Sequence, residues 1–143
     1  MPVTDDQVAV LRAYLADDMD EHRQLYARLD RETARIGYVA LVTAAFITAA
    51  SQRFAQESTA DVIGFVADLR SRSPALAESI DPGAAEHLIY AVLDDEDTDL
   101  DSKDMGGLMI VLLAGLVADR QPSPDELDEF LAGVRKLADR WLQ

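Results

Sequence analysis

The chain has 143 residues, 27 of them acidic and 13 basic, for a formal charge of −14, and it contains no cysteine. The missing cysteines exclude disulfides, thiolate metal sites and thiol nucleophiles. The acidity leaves no cluster of Lys and Arg that could displace counterions from phosphates, so neither direct nucleic-acid binding nor attraction to an anionic membrane is expected.

A single helical domain over residues 1–143 is the expected organisation, since a chain of this length buries enough surface for a core of its own. Helix start signals are dense. Thr4 with Gln7 three residues later is a capping-box pattern ahead of Val8, Leu11 and Leu15, and it predicts a first helix from Asp5 to Ala16. Asp18 with Glu21 repeats the pattern and opens a second helix. No proline interrupts Met19 to Phe54, so this helix either runs unbroken, about 50 Å at 1.5 Å per residue, or breaks between Asp30 and Gly37.

Its second half, Ile36 to Ala50, carries no charge and reads as apolar on nearly every side. Ser58 with Asp61 starts a third helix through Val62, Phe65, Val66 and Leu69, ending near Ser71 before Ser73-Pro74. Asp81-Pro82 starts a fourth, because Asp caps and proline at the first helical position gives up an amide that had no partner anyway. The fourth carries Leu88, Ile89, Val92 and Leu93. Asp101 with Asp104 caps a fifth, whose uncharged stretch is Met105 to Ala118. Ser123-Pro124-Asp125-Glu126 opens the sixth, with Leu127, Leu131, Val134, Leu137 or Ala138, and Trp141 at helical spacing among charged residues, a surface helix laid over the core.

No alternating run bounded by hairpin turns argues for a strand. The fold class is therefore all-α: a compact, irregular or orthogonal bundle of about six helices with the two nearly fully apolar ones at its centre. Both apolar stretches fall short of the roughly 20 residues of a membrane span, so they read as core helices. The N-terminus has no basic region followed by a long apolar one, and the cytoplasm is the default location.

Residues 94–104 hold seven acids against Lys103. Within them Asp95, Asp97, Asp99 and Asp101 alternate, as do the first ligands of a calcium loop. Counted from Asp95, however, the sixth position is Leu100 and the twelfth Gly106; counted from Asp97, they are Ser102 and Leu108. The segment reads as a solvated acidic loop, with weak cation binding or attraction of a basic partner as its functional alternatives.

A heptad count from Val8 puts Leu15, His22 and Leu29 on one seam, with Leu11, Asp18 and Leu25 at the other inward positions. Asp18 and His22 then lie one turn apart, as an ion pair, an acid-base pair or half of a metal site. Neither histidine has the Glu three residues earlier that a carboxylate-bridged di-iron bundle needs, since Met19 precedes His22 and Ala84 precedes His87. A hydrogen-bonded, half-buried His22 and an ordinary surface His87 are the plainer readings. No Gly-x-Ser-x-Gly occurs, and Gly106-Gly107 lacks the flanking strand and Lys of a phosphate loop. Gly107 and Gly115 are expected to let two helices approach closely.

No cofactor and no catalytic residue is indicated. Two functional readings remain. In the first, the chain is a non-catalytic interaction or regulatory module that pairs with a second copy of itself, a contact that charging Leu112 or Leu116 would break, or that meets a basic partner. In the second, the apolar helices line a cavity for a small hydrophobic ligand, and Asp18, His22, Tyr26, Tyr38, Thr43 or Thr48 supplies polar selectivity.

Overall fold

In the computed structural model, residues 2–29, 31–54, 59–94 and 102–143 are described, the side chains at 31–35 and 102–104 excepted. They form eight helices and, among the described residues, no strand: α1 Asp5–Leu15, α2 Met19–Arg28, α3 Arg31–Phe54, α4 Thr59–Ser71, α5 Pro74–Ser79, α6 Pro82–Leu93, α7 Ser102–Arg120 and α8 Pro124–Leu142. The all-helical class is as read from the sequence; the number of helices exceeds the six expected. Two compact units organise them, one of residues Met1–Phe46 and Val117–Gln143, the other of Ile47–Leu116.

In the first unit, α1 begins where the capping box places it. Thr4 Oγ1 accepts from the Gln7 amide at 3.2 Å, and Gln7 Oε1 accepts from the Thr4 amide at 3.0 Å. The chain then reverses over Ala16 to Asp18, where Asp17 takes a left-handed conformation (φ 61°) and the Asp18 amide donates back to the Ala13 carbonyl. Asp18 caps α2 through its side chain, which accepts from the Glu21 amide at 3.2 Å, and α2 folds back against α1. Leu29, in extended backbone, ends α2. Of the two possibilities for residues 19–54 the broken one is found, and the break precedes Gly37, which lies inside α3.

Gly37 is small for a reason. A Cβ there would lie 2.6 Å from Gln7 Oε1, so the buried Gln7 amide that closes the α1 cap occupies the space a side chain would need.

The last helix follows its reading except at Trp141, which is 46% exposed and not part of the buried face. Ser123 and Glu126 form the second capping box, and Leu127, Leu131, Val134 and Ala138 make its buried face. Its interleaved charges are not merely solvated. Arg135 donates to the Val3 carbonyl (2.8 Å) and to Asp5 (2.6 Å), Asp139 accepts from the Val3 amide (2.7 Å), and Asp128 pairs with Arg12 (2.6 Å). These bonds tie the N-terminal segment and α1 to α8, and they hold Val3 in a buried position.

The Ser123 backbone amide, and then its hydroxyl, hold the Glu126 carboxyl below the usual carboxylate range. A depressed folded value means that this contribution to stability is complete above the unfolded value, about 4.3, and is lost as pH falls through the folded one. Glu126→Gln keeps an acceptor for the Ser123 amide but no longer titrates. The variant is expected to show a shallower loss of Tm between neutral and acidic pH, and identical profiles would refute the assignment.

In the second unit, α4 packs on α5 and α6. Helix α5 was not anticipated, although Ser73-Pro74 is the same kind of start as Asp81-Pro82. Ser73 caps it, accepting from the Leu76 amide at 3.1 Å, and Arg70 of α4 donates to the carbonyls of Ala77 (3.0 Å) and Ile80 (2.8 Å) at its far end. The Phe54 and Phe65 rings meet edge to face at 5.6 Å, and Leu88, Ile89, Leu112, Leu113 and Leu116 are fully buried.

The two glycines of α7 that were expected to admit a neighbouring helix behave differently. A Cβ on Gly115 would lie 2.9 Å from Leu69 Cδ1 and 3.4 Å from Phe65, so close approach to α4 is found there. Gly107 is exposed with nothing within 4 Å, so it plays no such part.

Burial also corrects the reading of Ile36 to Ala50 as apolar core on all sides. Leu41, Ala44, Ala45, Phe46 and Ala50 are buried, but Ile36 is 70% and Val39 57% exposed. Among the described residues no helix is long and apolar enough to cross a membrane.

Candidate functional site

The α1–α2 hairpin, with the first turns of α3, assembles a row of rings in the first unit. Tyr14 stands in the last turn of α1, His22 and Tyr26 lie one turn apart on α2, and Tyr38 belongs to α3. Ring centroids are 5.2 Å apart for Tyr14 and His22, 5.9 Å for His22 and Tyr26, and 6.3 Å for Tyr26 and Tyr38, the last pair edge to face. Tilted and edge contacts of this kind set the positive ring edge against a neighbouring π face, which stabilises the row beyond its buried area.

His22 is fixed within it. Its Nδ1 lies 3.0 Å from the Val10 carbonyl oxygen, which can only accept, so Nδ1 carries the hydrogen and Nε2 of the neutral ring is left as an acceptor. The pairing of Asp18 with His22 expected from a continuous heptad does not form. The continuous seam ends with α1 at Leu15; beyond the turn, the Asp18 carboxylate is spent on its own helix cap while His22 faces α1.

Tyr38 is the group with unmet chemistry. Its ring is half-buried, its hydroxyl is fully buried, and that hydroxyl has no hydrogen-bond partner among the described residues. Burial, and secondarily the nearness of Tyr26 and Tyr14, pushes its ionisation far above the ordinary tyrosine range. Tyr14 is raised as well, by burial. Both phenols therefore stay protonated at neutral pH, and Tyr38 presents an uncommitted O–H.

Of the residues predicted for a polar face, the structure brings together His22, Tyr26 and Tyr38, and it adds Tyr14, whose place became visible only once the turn at Asp17 brought α2 back along α1. Asp18 serves as a cap. Thr43 donates to the Val39 carbonyl one turn earlier at 2.8 Å, and Thr48 belongs to the second unit. His87 is exposed, as expected. Asp95, Asp97, Asp99 and Asp101 lie outside the described residues. Among the described residues no group of three or more His, Asp or Glu side chains could hold a metal ion.

Comparison with protein-family models, with curated proteins and with solved structures finds no match to this chain.

Proposed function

We propose that this chain is a non-catalytic protein-interaction module that pairs with a second copy of itself through the outward face of α3. The observation that carries this reading is the exposure of Ile36 and Val39, one turn apart on a helix that buries Leu41, Ala44, Ala45, Phe46 and Ala50. Covering such a side chain fully is worth about 1.5–3 kcal/mol, so two of them side by side favour a partner surface over water. Tyr26, 56% exposed in the same unit, adds a third large apolar side chain that is open to solvent.

Charge supports a second copy as the occupant. Two chains of charge −14 repel, and they can approach only where acids are missing. Residues 36–50 form such a stretch, with no charged side chain at all. A basic partner would instead select the acidic surface, and its binding would weaken steeply with salt.

Sedimentation equilibrium over a wide concentration range tests the reading. A monomer–dimer equilibrium that persists or tightens at high salt is expected. A monomer at every concentration would overturn the proposal, as would association that dissolves when salt is raised.

A further inference from the structure

A hydroxyl withdrawn from water and left unpaired destabilises a fold by about 1–3 kcal/mol, and phenylalanine at that position would avoid the penalty. Among the described residues Tyr38 is such a position, at one end of the row and next to Tyr26, which is more than half exposed. The Tyr26 ring meets Tyr38 edge to face at 6.3 Å, and exposed side chains such as Tyr26 change rotamer within nanoseconds.

We propose that Tyr38 Oη is the polar anchor of a binding site for a neutral, planar aromatic molecule bearing a hydrogen-bond acceptor, a ring nitrogen or a carbonyl oxygen. Each part of that description has a residue behind it. The ligand is planar and aromatic because the row beside Tyr38 is itself built of rings, Tyr14, His22 and Tyr26, in tilted contacts 5.2 and 5.9 Å apart, and its Tyr26 member is open to solvent. It carries an acceptor because the protonated Tyr38 phenol has a hydrogen to give and no recipient among the described residues. It bears no negative charge because the net charge of −14 repels anions. His22 gives the site rigidity, since its bond to the Val10 carbonyl prevents the ring from turning away. The site shares Tyr26 with the surface proposed above for self-association but does not depend on that pairing, so it stands if that reading fails.

Quinoline, neutral at pH 7 with a single ring-nitrogen acceptor, is the probe, titrated into the isotope-labelled full chain and followed by amide chemical shifts. Wild-type protein is expected to bind saturably, with the largest shifts at Tyr14, His22, Tyr26 and Tyr38. Tyr38→Phe, with unchanged helical circular dichroism, is expected to weaken binding roughly fivefold or more, the loss of one hydrogen bond. Tyr90→Phe, a control in the second unit, should bind as wild type does. Indole, a donor without a ring-nitrogen acceptor, should bind more weakly than quinoline. Absence of saturable binding, equal affinity in Tyr38→Phe, or shifts centred elsewhere would each overturn the proposal.

Discussion

Replacing Leu112 by lysine is expected to unfold the protein, whereas Ile36→Lys combined with Val39→Lys is expected to leave the helices intact and abolish self-association. The sequence offered no means of telling these positions apart, since all three are aliphatic residues in uncharged stretches. Leu112 is completely buried in the second unit. Truncating such a leucine costs about 2–5 kcal/mol, and an ammonium group placed there adds an unpaired buried charge, against a total stability of about 5–15 kcal/mol. Ile36 and Val39 are mostly exposed, and substitutions at such positions usually change stability by no more than about 0.5 kcal/mol.

Circular dichroism melts and sedimentation of the two variants separate the cases. A double variant that remains a dimer would show that the α3 strip is not the contact. A Leu112→Lys protein that melts like wild type would contradict the core assignment itself.

The second large effect is expected at Gly115. Valine there must displace Leu69, whose Cδ1 would stand 2.9 Å from the new Cβ and which is itself buried, so the side chain cannot swing into solvent. Overpacking of this kind costs about 1–3 kcal/mol. At Gly133 of α8 a Cβ meets nothing within 4 Å, and Gly133→Ala is expected to raise stability by about 0.5–1 kcal/mol through helix propensity alone. Opposite signs for Gly115→Val and Gly133→Ala in chemical denaturation would confirm that one glycine serves packing and the other does not. A neutral Gly115→Val would mean that α4 and α7 can move apart without loss.

The all-helical class and most helix starts were legible in the residues because caps are local chemistry. Thr4 with Gln7 and Ser123 with Glu126 close their boxes within one turn of chain, and Asp81 caps a helix that opens on proline, whereas the same signal at Ser73-Pro74 reads in the sequence only as a stop. The buried stripe of α8 was legible for a similar reason, since Leu127, Leu131, Val134 and Ala138 repeat at the helical period beside charged neighbours.

Three things depended on tertiary structure. The turn at Asp17, a left-handed residue with no glycine to announce it, replaced a continuous heptad by a hairpin. It thereby set His22 against Val10 and Tyr14 instead of beside Asp18. The difference between Gly107 and Gly115 rests on which neighbour lies alongside, information that a uniformly apolar helix does not encode in its own period. The exposure of Ile36 and Val39 was hidden for the same physical reason: a helical stretch without charged residues carries no strong sequence mark of its wet side, so only the elements packed around it decide which of its apolar residues are covered.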